Sequence, residues 1–368
     1  MLSANHGQTA YTRPTPIAAA QKRRTSRRPG VPTSTAAVGA GMEPNLRPSS
    51  RLRAGGLGET TGVPDALDVV VVSYNSRDLL ADCLESLRES TDGPRVVHVV
   101  DNASADGTVE LVRERFPEVR LTASTSNLGF AAATNIGIRE GSAPYVLVLN
   151  PDTRVPPRAL DPLLALMAER PEVGICGCRL ERPDGSVDHA AKRSFPTPVS
   201  AVGHFTGLGR RAGASGRLAA YRAPEVESGP VDAVNGAFML VRRRALDEVG
   251  LFDEGYWMYM EDLDLCYRFA QAGWVTWYEP SVTVLHVKAG TSGPVRSPRL
   301  DYAFHYGMFR FYRAHYAREH NLVVNAAVYT GIGAKLVVSL IRSGVRRRRS
   351  APARRDAAGA PPAGPSAS

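Results

Sequence analysis

The sequence predicts an α/β fold in which a mostly parallel central sheet carries helices on both faces. Two observations lead there. Short valine-rich apolar runs alternate with stretches whose apolar residues recur every three to four positions. Three of those runs also end on polar clusters, and in open parallel sheets ligands bind at the carboxyl ends of the strands.

Val69-Val70-Val71-Val72 reads as a buried strand ending at Ser73. Leu79, Leu80, Cys83, Leu84 and Leu87 then mark one face of a helix. Val96 to Val100 forms a second strand ending at Asp101, and Thr108 to Arg115 a helix stopped by Pro117. Val119 to Thr122 is a third strand, Ala131 to Arg139 a further helix, and Tyr145 to Leu149 a fourth strand closed by Asn150-Pro151-Asp152. Repeated strand–helix units place successive strands parallel. The polar strand ends are Ser73-Tyr74-Asn75, Asp101-Asn102 and Asn150-Pro151-Asp152. The second half is less regular, with residues 187–230 polar and loop-like. Val234 to Val241 reads as one strand containing Gly236, and Glu261 to Ala272 as a helix capped by Gly273. Val275 to Leu285 reads as a strand broken at Pro280 and leading into His286. Residues 302–318 are crowded with aromatics.

The chain has 368 residues, of which 43% are hydrophobic, enough for a sizeable core. Its net charge of +9 is unevenly placed: residues 1–62 carry +7 and residues 342–368 carry +6, which leaves about −4 for the middle. A nucleic-acid reader carries its basic stripe on the folded domain, so no nucleic-acid partner is expected. Residues 1–62 and 346–368 are rich in Ala, Pro, Ser and Arg and are expected to be disordered basic tails around one domain at 63–320. Residues 321–345 form a candidate membrane-associating helix. Leu322 to Ile341 is mostly apolar but contains Asn325, Lys335 and two glycines, and four arginines follow it. That pattern fits an interfacial helix better than a membrane span. Anionic lipids would attract each arginine by about 1 kcal/mol. A packed terminal helix with a solvated basic tail is the other reading. The four cysteines form no CxxC pair, so neither a disulfide framework nor a zinc site is expected, and a reducing cytosol is the simplest compartment. The N-terminus shows no apolar segment of the secretory kind.

Six stretches stand in a telling order: VVVVSYNS at 69–76, VVDNASADGT at 99–108, SNLGFAAATNIGI at 126–138, LNPDT at 149–153, NGAFMLVRR at 235–243 and FDEGYWMYMEDLDLCYR at 252–268. His286, Gly290 and Ser292 follow in a final loop. Over residues 67–315 the chain resembles the family-2 inverting glycosyltransferases of the GT-A fold, nearest to bacterial rhamnosyltransferases that extend lipid-linked cell-wall glycans. It departs from them at Ala132-Ala133-Thr134, where larger or polar residues are frequent.

Inverting glycosyl transfer must neutralise a diphosphate leaving group, deprotonate an acceptor hydroxyl and align both across the anomeric carbon. The resemblance implies that Asp101 accepts the pyrimidine N–H of the donor, a role open to an acceptor-only carboxylate. A turn-forming Asp-Asn after a strand has the same look. Ser73, Asn75 and Asn102 are further donor-binding candidates at these strand ends. Asn127, Gly129 and Asn135 open a helix whose N–H groups suit phosphate, although a packed Gly-containing loop reads alike. Gly236 permits close backbone approach to the sugar or, equally, close packing. Asp152 occupies the place of the family's Asp-x-Asp motif, with Asn150 in place of its first Asp; with donor phosphates it would hold Mn2+ or Mg2+. The resemblance adds His286 to that metal site. Glu261, Asp262 and Asp264 open a helix, where acids also complement the helix dipole. The resemblance places the general base at the Glu261–Asp262 pair, with Asp262 as base and Glu261 orienting the acceptor. Trp257 and Tyr259, in Tyr256-Trp257-Met258-Tyr259, would wall the acceptor sugar.

The expected partners are a nucleotide-sugar donor, dTDP-rhamnose from the resemblance, and a glycan or lipid-linked glycan acceptor. UDP-galactose, UDP-glucose and UDP-galactofuranose stay open as donors. The expected location is the cytoplasmic face of the plasma membrane, as a peripheral protein. Two other classes fit less well. Sugar-nucleotide pyrophosphorylases carry a Gly-rich signature with Arg and Lys after the first strand, where this chain has Ser73-Tyr74-Asn75-Ser76. A non-catalytic binding protein would have no use for Asp152, Asp262 and His286 together.

Overall fold

The computed structural model describes residues 67–196, 227–287 and 297–350, with side chains to 344. Residues 1–62 and 351–368, most of the 187–230 stretch, Gly290 and Ser292 lie outside the described residues, whereas 346–350, expected to begin a disordered tail, continue the last helix.

β1 (Leu67–Ser73) is buried along its whole length. It pairs in parallel with β2 (Arg95–Asp101) and with β4 (Tyr145–Leu149), and β2 pairs in parallel with β3 (Arg120–Ala123). The four-valine run now has a physical cause. Val69 and Val71 point into the core that also holds Leu80, Leu84, Leu111 and Leu163. Val70 and Val72 point to the opposite core with Phe130, Leu246, Leu263 and Phe269. A strand buried on both faces reads as a near-continuous apolar run, interrupted here at Asp68, which pairs with Arg243 at 2.8 Å, and at the terminal Ser73. α1 (Arg77–Leu87), α2 (Thr108–Arg115) and α4 (Asp161–Glu169) supply the first core, while α3 (Phe130–Glu140), α5 (Arg243–Val249) and α6 (Glu261–Gln271) supply the second.

Beyond β4 the sheet becomes mixed. β10 (Phe238–Arg242) runs antiparallel to β4 and to β6 (Val173–Glu181), and β6 is parallel to β11 (Val275–His286). β5 (Thr153–Arg154) closes the edge against the end of β11, and β8 (Gly229–Val231) flanks β11. The order is β3-β2-β1-β4-β10-β6-β11-β5. β7 (Lys192–Arg193) and β9 (Ala233–Val234) make a separate ribbon.

Two readings of the sequence need correction. Val234 to Val241 is not one strand but the end of β9 and most of β10. Between them Asn235 Oδ1 accepts the Ala237 N–H at 2.8 Å, an Asx turn that ends pairing at Gly236. β11 is not interrupted at Pro280. The strand continues and instead slips register between Glu279 and Thr283, since proline has no N–H for the ladder.

α7 (Pro298–His315) starts at Ser297, whose Oγ accepts the Leu300 N–H. α8 (Leu322–Ser350) extends beyond the expected 321–345 and folds back on α7. Tyr312 packs with Val328 and Ile332, and Ser339 and Ser343 donate to the buried carboxylate of Asp301. Leu322–Gly344 is long and apolar enough to cross a membrane, by length and composition.

Candidate active site

The register of β1 and β2 sets Ser73 beside Asp101 at the carboxyl edge of the sheet. Ser73 is fully buried, 2.9 Å from Ser76 Oγ, and its carbonyl accepts the Asn102 N–H at 2.7 Å. Asn75 has a left-handed backbone (φ 49°). Its N–H donates to Ser104 Oγ and its Oδ1 accepts the Ala105 N–H, so it fixes the loop after β2. Asn102 donates to the Gly129 carbonyl and to Asn127 Oδ1 and accepts the Leu128 N–H, while Asn127 Oδ1 also accepts the Gly129 N–H. Both amides therefore brace the 127–129 loop. Asp101 differs. Its Oδ2 accepts the Ser104 N–H at 2.9 Å, and its buried Oδ1 has no hydrogen-bond partner among the described residues. A buried acceptor without a donor is costly, and this oxygen keeps lone pairs that no described residue meets.

Gly129 (φ +88°) brings that loop against the aromatic segment before α6: a Cβ there would lie 2.3 Å from the Trp257 carbonyl oxygen. The same oxygen accepts the Phe130 N–H at 2.8 Å. Asn135 sits elsewhere. Its amide donates to the Phe252 carbonyl and to Glu254 and accepts the Phe252 N–H, clasping α3 to residues 252–254.

At the next strand end the Asn150 N–H donates to the Ala237 carbonyl at 3.0 Å, joining the Asn150-Pro151-Asp152 turn to the turn that holds Gly236. The β5–β11 pairing sets Thr153 opposite His286. Asp152 Oδ1 then lies 3.4 Å from His286 Nε2, and Asp188 Oδ2 lies 3.4 Å from His286 Nδ1. All three side chains are buried. Burial opposes a charged imidazole, but the two carboxylates outweigh it and push the His286 pKa up to about 9. Yet both contacts are long, and neither Asp152 Oδ1 nor His286 Nδ1 makes a well-aligned hydrogen bond. Two ligands on adjacent positions of an ion about 2.1 Å away stand roughly 3 Å apart, so Asp152 and His286 fit a shared divalent cation. Among the described residues no group of three or more His, Cys, Asp or Glu side chains could hold a metal ion, so donor phosphates would have to complete the coordination.

The third cluster opens α6. Asp262 Oδ2 accepts the Gly236 N–H at 2.9 Å and pairs with Arg193 at 2.5 Å, and its Oδ1 accepts the Leu263 N–H at 2.7 Å. The neighbouring Asp264 is held by His315 at 2.7 Å and Arg268 at 2.7 Å. Burial would raise its pKa, and those two partners bring it below the usual carboxylate value. Just before α6, Tyr259 and Met260 both have positive φ (71° and 73°), a strained pair that turns the aromatic segment into the helix. Trp257 is half-buried, with the Arg299 guanidinium 4.0 Å from its ring centroid. The structure thus links the strand-edge residues, the Asp152–His286 pair and the Gly236–Asp262 pair through contacting turns. Asp188 and Arg193 were not among the expected site residues: they lie in the polar 187–230 stretch, which carries no periodic signal.

The description "Glycosyl transferase family 2" matches residues 68–250. The N-acetylglucosaminyl-diphospho-decaprenol L-rhamnosyltransferase of Mycobacterium tuberculosis is 38% identical over 255 residues, which cover 66% of this chain and 82% of that one. The chain belongs to glycosyl transferase family 2. Rhamnosyltransferase WbbL of Escherichia coli is 25% identical over 59% of this chain and 82% of its own. Among solved structures, a Pyrobaculum calidifontis mannosyltransferase in complex with GDP-Man and Mn2+ aligns with TM-score 0.47 at 19% identity, covering 80% of this chain and 76% of that chain.

In this glycosyltransferase the two carboxylates that open α6 differ in environment. Glu261 is fully buried, and its Oε2 has no hydrogen-bond partner among the described residues. Desolvation, then the nearby charge of Asp262, push its pKa up to about 8. The folded state therefore holds this proton between about pH 4.5 and 8 while the unfolded chain has lost it. Where the folded state binds more protons, stability falls as pH rises. Glu261→Gln keeps the shape of the protonated acid. The variant is expected to melt a few degrees above wild type at pH 8, the shift that about 1–2 kcal/mol gives in a domain of this size. The gap should close toward pH 4.5. Thermal denaturation across that range checks it, and a variant less stable than wild type at pH 8 would mean that Glu261 is ionised in the folded protein.

Proposed function

We propose that this glycosyltransferase moves L-rhamnose from dTDP-rhamnose, with inversion, to a hydroxyl of a polyprenyl-diphosphate-linked glycan at the cytoplasmic face of the membrane. The observation that carries this is the 38% identity, across 82% of its length, to a relative named for N-acetylglucosaminyl-diphospho-decaprenol and L-rhamnose. The site supports the chemistry. Asp101 offers its free oxygen to the thymine N–H. Asp152 and His286 would hold Mn2+ or Mg2+, which when bound offsets the charge of the leaving diphosphate. Trp257 and Tyr259 wall the acceptor sugar, and Glu261 orients it. The acceptor oxygen attacks the anomeric carbon, the bond from that carbon to the diphosphate oxygen breaks, and the acceptor proton passes to Asp262. The apolar face of α8, with Leu322, Val323, Val337, Val338 and Ile341 exposed, supports a membrane location.

The test is a thermal-shift panel of dTDP-rhamnose, UDP-galactose, UDP-glucose and UDP-galactofuranose with and without Mn2+, followed by product analysis on a GlcNAc-diphosphate-lipid. A ligand that binds only the folded state raises Tm. The expected result is a metal-dependent shift with dTDP-rhamnose and a product whose anomeric configuration is opposite to the donor's. Turnover of a UDP-sugar with none of dTDP-rhamnose would replace the donor.

A further inference from the structure

Arg299 stands in the first turn of α7, exposed, with its guanidinium 4.0 Å from the centroid of the Trp257 ring. Among the described residues no carboxylate forms an ion pair with it. Trp257 is the acceptor-wall residue that stands four positions before Glu261. A guanidinium spread flat on an aromatic ring keeps its edge N–H groups open for a second, anionic partner.

What continues from Arg299 is equally informative. Residues three and seven positions on, Tyr302 and Tyr306, share its face of the helix. Both are exposed, at 56% and 38%, and their rings stack 5.9 Å apart. α8 runs antiparallel to α7, because Asp301 near the start of α7 meets Ser339 and Ser343 while Tyr312 near its end meets Asn325. The second half of α8 therefore lies beside the turn that carries Arg299, and it exposes Val337, Val338 and Ile341. Exposed tyrosines and exposed aliphatics on two packed helices are the composition of a membrane interface. Beside the Trp257 ring the surface thus offers the Arg299 cation, and α7 and the end of α8 add two tyrosines, an apolar helix face and the exposed Arg342.

We infer that Arg299 binds the diphosphate of a lipid-linked acceptor, with Tyr302, Tyr306 and the end of α8 meeting the lipid beyond it. The Trp257 wall, the Arg299 cation against it and the apolar faces of α7 and α8 supply the three chemistries such a molecule carries: sugar, diphosphate and lipid. The inference rests on the proposed lipid-linked acceptor. Arg299 is a specificity residue in this account: it touches the acceptor far from the reacting hydroxyl and should alter acceptor binding, not the chemical step.

The test compares wild type, Arg299→Ala and Arg299→Lys, in detergent at low salt, on two acceptors that share the sugar: GlcNAc-diphosphate on a short alkyl chain, and the same alkyl chain joined to GlcNAc without phosphate. The expected result for Arg299→Ala is a KM for the diphosphate acceptor raised about tenfold or more, the factor that one charge-assisted contact of about 1.4 kcal/mol supplies. kcat, the donor KM and the KM for the phosphate-free acceptor should stay within about twofold, and Arg299→Lys should recover part of the loss. Raised salt should shrink the wild-type preference for the diphosphate acceptor. Equal losses on both acceptors would mean that Arg299 acts by holding Trp257, and no loss on either would remove it from the site; each overturns the inference while leaving the acceptor class standing. If wild type itself shows no preference for the diphosphate acceptor, the lipid-linked reading fails and the inference falls with it.

Discussion

Asp152→Ala is expected to lower kcat by at least about 10³-fold at saturating Mn2+, because a bound cation supplies several kcal/mol of charge stabilisation in such reactions. The fold should survive. Asp152 accepts no well-aligned side-chain hydrogen bond, and its backbone carbonyl, which takes the Val287 N–H at 2.9 Å, is untouched by the substitution. His286 keeps Asp188 3.4 Å from its other nitrogen, so the imidazole is not left without a carboxylate. A buried charge that loses its only partner would destabilise by several kcal/mol; here the expected change in Tm is a few degrees at most. Mn2+ titration followed by single-turnover rates separates weak metal binding from slow chemistry. A variant that turns over at near-normal rates with saturating metal would show that Asp152 is not the anchor of the leaving-group site. The metal-free pair also sets a pH dependence. With His286 protonated up to about pH 9, a metal must displace that proton, so Mn2+ affinity should rise from pH 7 to 9.

The sequence exposes this half of the site because it stands at the ends of local elements. Val69 to Val72 and Tyr145 to Leu149 are short apolar runs whose physical cause, burial on both faces, is visible in single residues, and Val96 to Val100 follows the same pattern around a buried His98. Their polar ends follow directly. β6 has no such marker: Gly174 and Gly177 interrupt its apolar run, and the strand is recognisable only once β10 and β11 lie on either side of it. The antiparallel insertion of β10 beside β4 is likewise a tertiary choice. Asp188 and Arg193 were hidden for the same reason. Arg193 meets Asp262 and Asp188 meets His286 across long stretches of chain, and nothing local to the polar 187–230 segment marks either residue. Asn102, Asn127 and Asn135 show the converse. Their residue type and place in a motif are plain in the sequence, but whether an amide faces a ligand or a neighbouring loop depends on which backbone groups come within 3 Å, and all three have protein partners.

Asp262→Asn is expected to cost at least about 10²-fold in kcat, the low end for loss of a general base, with donor and metal affinity nearly unchanged. An acceptor hydroxyl titrates far above neutral pH, so its proton needs a carboxylate within hydrogen-bond reach as the new bond forms. Asp262 sits in a well-defined setting: Arg193 and the Gly236 N–H hold Oδ2, and the Leu263 N–H holds Oδ1. A carboxylate has about four lone-pair sites. Three are taken, which leaves one on Oδ1 for the incoming hydroxyl. The same contacts make the asparagine variant informative. Its carbonyl can keep only one side, and its NH2 must otherwise face Arg193 and the Gly236 N–H as a donor against donors. The favoured arrangement therefore keeps the carbonyl on Oδ2's side and puts the NH2 where the base oxygen was, next to the Leu263 N–H. Some loss of stability should accompany the loss of rate, and the ratio of the two is the diagnostic. A general base costs rate far beyond any change in Tm or donor Kd. Parallel losses of donor affinity and rate would instead make Asp262 a donor contact. The partner carboxylate closes the comparison. Glu261, protonated up to about pH 8, is a hydrogen-bond donor rather than a base at neutral pH, so Glu261→Gln should retain far more activity than Asp262→Asn. If Glu261→Gln is the inactive variant and Asp262→Asn is not, the base is the buried glutamate, and the Arg193–Asp262 pair serves to hold it in place.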